Sequence, residues 1–382
     1  MSEARVNNLS NESNTGGPTI SGITTFSGTN FFIPPVGSTI ERPQDPQKGE
    51  LRFNTDSKHL EYFRGNTIGW TEIEASNEEL GGGTGSNQGI GARGVIGLGY
   101  KSPANTQVIE YITISTLGNA QDFGDSTRGD RHSYSNVSSR TRGCWGGGFP
   151  QATQTTIDYI TIASTGNAQD FGDMTVGRIG SPGVSNGIRG CYLGGYSYSP
   201  GPLSALNTID YITIASTGNA KDFGDMNAAK EFASQSTCAS TTRGIAFRMN
   251  GNAIEYITIA TLGNATDFGD DGTATGAGGG LSNSTRGIIA AGGTPGNANT
   301  ISYITIATTG NTQDFGDLNQ GNEGACGVSS PTRGVIGGMK TPTTYNTLEY
   351  ITIATTGNAT DFGDMTEAKA HMGACSNAHG GL

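Results

Sequence analysis

Charge is scarce in this sequence, and basic charge is scarcest. Only 14% of the 382 residues are charged, with 22 Lys and Arg against 33 Asp and Glu, for a formal net charge of -11. Nucleic acid is therefore not an expected partner, because phosphate binding draws on clustered Lys and Arg. No apolar run approaches the roughly 18 residues of a membrane span, so membrane insertion is not expected either. The opening MSEARVNNLSNESNTGG lacks both the basic end and the apolar stretch of a secretory signal. The five cysteines are odd in number and scattered, which excludes a disulfide framework and suggests synthesis where thiols stay reduced. Hydrophobic residues reach only 33%, whereas glycine alone fills 62 positions. Gly, Thr and Asn weaken helix interiors, so the composition predicts an all-β chain of short strands joined by tight turns.

What is present is repetition. The string YITI starts at Tyr111, Tyr159, Tyr211, Tyr256, Tyr303 and Tyr350, and the string DFGD has its Phe at Phe123, Phe171, Phe223, Phe268, Phe315 and Phe362. Tyr and Phe are always 12 positions apart, so this piece is one rigid unit. An Arg-Gly pair precedes each unit, at Arg93, Arg142, Arg189, Arg243, Arg286 and Arg333. The mean period is about 48 residues, a length that points to propeller blades. Each repeat reads as four strands. In the last, HMGACSN is strand a, RGVIGGM strand b, LEYITI strand c and TDFGDM strand d, with a Gly-Asn turn between c and d.

The Gly-Gly after an apolar strand, as in CYLGG and IIAAGG, resembles the Kelch repeat, as does the following strand with its single Tyr. The resemblance covers roughly residues 90–382 and implies a six-bladed Kelch-like β-propeller. It departs from Kelch in placing the Phe of DFGD where Kelch blades usually carry Trp, and repeats one and four break the double glycine with GLG and FRM. The chain stops in phase with the next Arg-Gly, leaving HMGACSNA as an extra strand a. Pairing it into blade one would close the ring and remove an open edge. GTGSNQG, before Arg93, is the competing strand a, and the C-terminal segment is the favoured one.

The N-terminal part divides into a flexible start (1–17), a β module (18–75) and a Gly-rich linker (76–91), ahead of the propeller (92–382). Within the module, TISGITTFSGTNFFIPPVG reads as an extended segment, and GELRFN, HLEYF and TIGWTEI as a meander with Leu51, Phe53, Leu60, Tyr62 and Trp70 as its main apolar content. About 30 residues cannot bury enough surface to stand alone. Burial must come from a partner or from further copies. The pattern LRFNTD, LEYF and a closing Trp is similar to a module of marine bacteriophage virion proteins, where it tends to occur in tail fibres and is often trimeric. YITIATTGNATDFGD likewise resembles repeats in cyanophage structural proteins. These resemblances imply a virion protein made in the host cytoplasm, attached to other virion proteins through residues 18–75, homo-oligomeric with a trimer favoured. They leave open whether it is a tail fibre, or a head or tail decoration protein with no receptor.

Several features look chemical. DFGD resembles a kinase metal motif, yet six copies without a phosphate loop or HRD argue for structure: Phe wedged between blades, Gly admitting a close backbone, Asp bonding turn amides. Sialidases combine a six-bladed propeller with arginines, but their Asp box is absent here. An Arg in every repeat implies a shared task, such as pairing with a DFGD carboxylate or with carbonyls of the a–b turn. His59, His132, His371 and His379 show no metal spacing, and His379 reads as a surface residue. Cys144, Cys191, Cys238, Cys326 and Cys375 read as small buried thiols. Calcium stays open because Asp-rich turns recur. No enzyme, cofactor or catalytic residue is expected.

The a–b and c–d turns, on one face of such a ring, hardly vary. The b–c loops of the other face do: Arg-to-Tyr spacing runs from 13 in repeat four to 22 in repeat three. These loops offer Trp145, Phe149, Tyr196 and Tyr198 as candidate binding residues, with a host cell-surface glycan as the natural ligand. Drift in unselected loops is the alternative reading.

Overall fold

In the computed structural model the described residues are 34–57, 59–73, 92–128, 131–132, 135–149, 154–198, 201–229, 232–248, 251–272, 278–292, 298–321, 323–338, 340 and 343–382. The expected flexible start, the first part of the extended segment and the linker, with GTGSNQG in it, lie outside them. The chain forms two units, 1–77 and 78–382. Both are all-β: beyond strands, the described residues hold one single-turn 3-10 helix, Thr39–Glu41.

The first unit is a four-stranded sheet. The expected meander is there as β2 (Leu51–Asn54), β3 (Leu60–Phe63) and β4 (Trp70–Ile73), and the chain before it adds β1 (Val36–Gly37) parallel to β2. Alternation assigns two opposite faces. Arg52, Asn54, Glu61 and Phe63 are buried, beneath the segment that carries Ser38, Thr39 and Arg42. The other face holds Val36, Leu51, Phe53, Leu60, Tyr62 and Ile73. Register lines up Val36, Phe53, Leu60 and Ile73 as one row across all four strands. Much of that row is open to water, with Val36 58%, Leu60 37% and Ile73 42% exposed.

The second unit is propeller-like and consists of four-stranded antiparallel sheets, with a two-stranded ribbon of Tyr100–Lys101 and Ala104–Asn105 beside them. Sheet six shows the plan, with strands a to d at Cys326–Ser329, Arg333–Gly337, Thr347–Thr352 and Thr360–Asp364. Sheets two to five follow the same order over residues 135–173, 183–225, 232–270 and 279–317. In sheet one the strand next to Arg93–Gly97 is Gly373–Ser376, with Cys375 opposite Val95 and Ser376 opposite Gly94. The C-terminal segment thus supplies strand a of the first repeat, as its phase implied.

Strand d carries a bulge in every copy. In sheet one, Ile109 pairs with Gly124 and Glu110 with Asp122, so Phe123 is the extra residue. The same slip recurs in the other five sheets. A bulge re-aims a side chain, and this one turns each Phe inward, where all six are buried. The core is accordingly divided into clusters at the junctions between sheets. Phe123, for example, packs with Val95 and Ile109 of its own sheet and Trp145, Ile160 and Ile162 of the next. The cluster of Ile96, Ile112, Cys326, Val335, Phe362 and Met372 joins sheet six to sheet one. Strands a touch in the same succession.

Candidate functional site

The repeated motif residues are engaged with one another. Each Arg lies over the Tyr of its own sheet, 4.2 to 4.7 Å from the ring centroid, and that Tyr meets the DFGD Phe edge-on. The guanidinium then donates to the carbonyl of the last Ile of YITI in the next sheet, at 2.8 to 3.1 Å: Arg93 to Ile162, Arg142 to Ile214, Arg189 to Ile259, Arg243 to Ile306, Arg286 to Ile353 and Arg333 to Ile114. The expected partners, a DFGD carboxylate or the a–b turn, are not the ones used. The reason is reach. The side chain lies along the Tyr face and ends at the carbonyl that follows strand c of the neighbouring sheet.

DFGD works through its backbone. The Asp125 amide donates to Asn167 Oδ1 of the next c–d turn at 3.0 Å, and the Gly166 amide donates to the Phe123 carbonyl at 2.7 Å. Both bonds recur at all six junctions, including Asp364 to Asn119. The expectation that Asp carboxylates would bond turn amides is corrected here, since the Asn side chain is the acceptor and the Asp amide the donor. The glycine role stands: Gly124 has φ +145°, and a Cβ there would lie 2.5 Å from the Gly166 oxygen.

Residues of all six strands a line one cavity. Near its a–b end, Ser376, Ser329 and Ser282 each donate a hydroxyl to the carbonyl of the preceding strand a, at 2.7 to 2.8 Å. Ser138 does the same to Ser376, while sheet four has Ala239 at this position and no hydroxyl to give. Residues 377–382 occupy this end. His379 Nε2 lies 3.3 Å from both the Ser138 carbonyl and Ser185 Oγ, and the Gly380 amide donates to the Ser282 carbonyl. His379 is thus no surface residue, and burial holds its pKa down at about 4. Burial also pushes up the pKa of all five cysteine thiols, to about 12 for Cys191, Cys326 and Cys375. They are inert core residues, as expected.

A second ring of functional groups was missed in the sequence. The residue before each YITI Tyr is an acid in five copies: Glu110, Asp158, Asp210, Glu255 and Glu349, all buried, with Ser302 in the remaining one. Three of them meet buried cations: Lys369 by Glu110, Arg131 by Asp158 at 3.4 Å and Arg178 by Asp210 at 3.1 Å. Glu349 accepts from the Asn319 amide and side chain, and burial raises its pKa. The signal was there, an acid preceding an invariant Tyr on a buried strand.

The face of the b–c loops and d–a connections divides the four aromatic candidates. Trp145 is 2% exposed in the core between sheets one and two, because it alternates inward from strand b; it is not a surface binding residue. Tyr196 is half-buried within strand b, not on a loop. A bulge at Gly195 lets strand pairing resume, with Tyr196 opposite Ala205 and Ser197 opposite Ser204. Tyr198, 45% exposed, and Phe149, 41% exposed, are the two that reach solvent.

Phe149 belongs to a cluster that sequence distance had hidden. Its ring is 4.9 Å from that of His132, which lies 5.8 Å from Tyr100 and 6.0 Å from His371. The Lys340 ammonium sits 5.5 Å from the Tyr100 centroid. His132 and Phe149 exchange backbone hydrogen bonds, as do Tyr100 and Ala370, and Lys340 pairs with Glu323 through a β-bridge. Loops of sheets six, one and two therefore converge here. Burial first, then the neighbouring His371 and Lys340, holds His132 down at about 4, and burial likewise lowers His371. Among the described residues no group of three or more His, Cys, Asp or Glu is placed to hold a metal ion.

No family model matches this chain, and no curated protein matches it either.

Proposed function

We propose that this is a structural protein of a bacteriophage particle, of tail-fibre or appendage type, whose N-terminal unit attaches it to the virion and whose repeat unit is a closed, six-bladed, Kelch-like propeller facing outward. The observation that carries the reading is the apolar row Val36, Phe53, Leu60 and Ile73 on a sheet whose opposite face is already covered. A row of this kind is an assembly surface, and copies of the chain, as a trimer, or another virion protein would bury it. The propeller reading draws support from the inter-sheet contacts that run from sheet six back to sheet one.

The reading is non-catalytic. The six arginines, the natural candidates to grip an acidic substrate, are each held by a Tyr ring and a neighbouring carbonyl. Host contact falls to the variable face, through Phe149 and Tyr198, and a host cell-surface glycan suits exposed aromatics with hydroxyl-rich loops around them. The second reading, a head or tail decoration protein without a receptor, gains from the burial of Trp145, which halves the aromatic content expected near Phe149.

Light scattering on the full-length protein tests assembly. The wild type is expected to be oligomeric and the double variant Phe53→Asp, Leu60→Asp monomeric. A wild type that is monomeric at all concentrations would sink the attachment reading in its self-associating form. Adsorption to host cells by the protein or by phage carrying Tyr198→Ser separates receptor binding from decoration.

A further inference from the structure

Two d–a connections and three b–c loops bring Tyr100, His132, Phe149, His371 and Lys340 together at one point of the variable face. Tyr100, His132 and Phe149 are paired here through main-chain bonds, which do not call for aromatic side chains. We propose that this cluster is a saccharide-binding subsite and that its ligand is a neutral sugar unit. The inference deepens the host-surface reading above and rests on it.

The chemistry is that of sugar recognition. A sugar ring presents an apolar C–H face and a rim of hydroxyls. The Phe149 ring, part open to water and backed by His132, offers a flat apolar platform held in place by the backbone bonds between the two residues, at 2.7 and 3.0 Å. Aromatic platforms held this way lose little freedom on binding. The hydroxyl rim requires groups that both accept and donate. His132 Nδ1 is 2.9 Å from Asn105 Oδ1; with that oxygen as acceptor, Nδ1 carries the proton and Nε2 is left as an acceptor for a hydroxyl. A charged imidazole could not play that part, and the depressed pKa of His132 keeps it uncharged at neutral pH.

Charge balance selects the neutral class. The ammonium of Lys340 lies over Tyr100, and Glu323, cross-strand from Lys340, brings a carboxylate to the same edge. The two imidazoles add nothing at neutral pH. The site therefore carries no excess charge of either sign with which to hold an anionic sugar.

The test is titration of full-length protein with neutral polysaccharides (dextran, mannan, galactan) and with alginate as the charged counterpart. At least one neutral polymer is expected to bind, and Phe149→Ala and Tyr100→Leu to weaken it by about tenfold or more. Leu262→Ser, on an exposed c–d turn of the opposite face, is the control and should bind as wild type does. Melting curves verify that each variant is folded. Because Phe149 is part exposed, its variant remains informative even if Tyr100→Leu fails to fold. Binding of alginate alone, binding that survives both cluster substitutions, or loss that Leu262→Ser shares, would each overturn the proposal. If no polysaccharide binds, the proposal falls, and adsorption to host cells then decides separately whether the host-surface reading survives.

Discussion

The two units solve the burial problem in opposite ways. The N-terminal sheet keeps a carboxylate inside and apolar side chains outside: Glu61, fully buried, is held by Arg42, Arg52 and Asn54, while Val36, Leu51, Leu60 and Ile73 meet water. The repeat unit buries Ile and Phe between sheets and turns the polar ends of strand d outward. Among the described residues, one face of this small sheet is covered by a single short segment and no second layer hides its apolar side. In the second unit each sheet packs against the next, sheet six against sheet one included. Among the described residues the first unit therefore keeps an apolar row in water, and the second packs its apolar side chains between sheets.

The largest effect should come from breaking the self-sufficiency of the repeats. Removing residues 371–382 takes away strand a of sheet one and the tail packed against Ser138, Ser185 and Ser282. It bares strand b of sheet one and half of a junction core, and an unpaired edge invites aggregation. The truncated protein is expected to be insoluble or to melt far below wild type, and a melting curve that overlays the wild type would end the claim that this strand closes the ring.

Next in size is the removal of the buried charge from the first unit. Glu61→Ala leaves two guanidiniums facing an empty site, a loss of about 3 kcal/mol, at the low end of the range because Arg42 keeps some contact with water. The chain has two tryptophans, and each unit holds one, Trp70 and Trp145. Trp145→Phe and Trp70→Phe backgrounds therefore report the units separately. The Trp70 signal should shift to lower denaturant and the Trp145 signal should not. A shift in both would mean that the units do not unfold independently.

How much of this was legible from sequence depends on whether a signal is local. The strand order a to d, the 12-residue spacing from Tyr to Phe and the phase of HMGACSN all follow from neighbours in the chain, and the structure has them in place. The partner of each Arg does not follow, because Arg93 and Ile162 meet only once two sheets are packed. Trp145 read as a loop aromatic because strand b stops one residue later; the register, with Trp145 opposite Asp158, decides that its ring faces a neighbouring sheet. His132 and His371 stand 239 positions apart, and they meet because the C-terminal strand pairs into sheet one. Spacing rules for metal ligands are blind to such a pair.

Acid should separate the units again. His379 has its pKa lowered to about 4 by burial, so it stabilises the fold above the ordinary histidine value near 6.5. That contribution is lost as pH falls from there toward 4. Glu61, held below the usual carboxylate range first by its Arg42 hydrogen bond, supports the first unit until pH falls lower still. The Trp145 midpoint is thus expected to decline between pH 6.5 and 4 while the Trp70 midpoint holds. His132 and His371, whose pKa values burial also lowers, share in that decline; His379→Gln, which can still donate to the Ser138 carbonyl, should make it shallower, and an unchanged pH profile would remove His379 from the account.

The smallest effect isolates one carboxylate against another. Glu61 and Glu349 are both buried, yet Glu61 is pulled below the ordinary value and Glu349 is pushed above it, because Glu349 has amide donors but no cation to offset its burial. A raised pKa means that the folded chain binds the proton more tightly than the unfolded one. Glu349 accordingly favours folding below the ordinary carboxylate value, and this is lost as pH rises through the folded pKa. At pH 7 it is a charge held in the core at a cost. Glu349→Gln keeps an oxygen to accept from Asn319 and removes the charge, so it should raise the Trp145 midpoint by an amount on the order of 1 kcal/mol or less at pH 7 and by nothing near pH 4. Asp210→Asn, which strips the buried Arg178 of its carboxylate partner 3.1 Å away, should lower it at pH 7. If both substitutions move the midpoint in the same direction, the pairing of a buried acid with a cation is not what sets its contribution, and the contrast drawn between Glu61 and Glu349 fails with it.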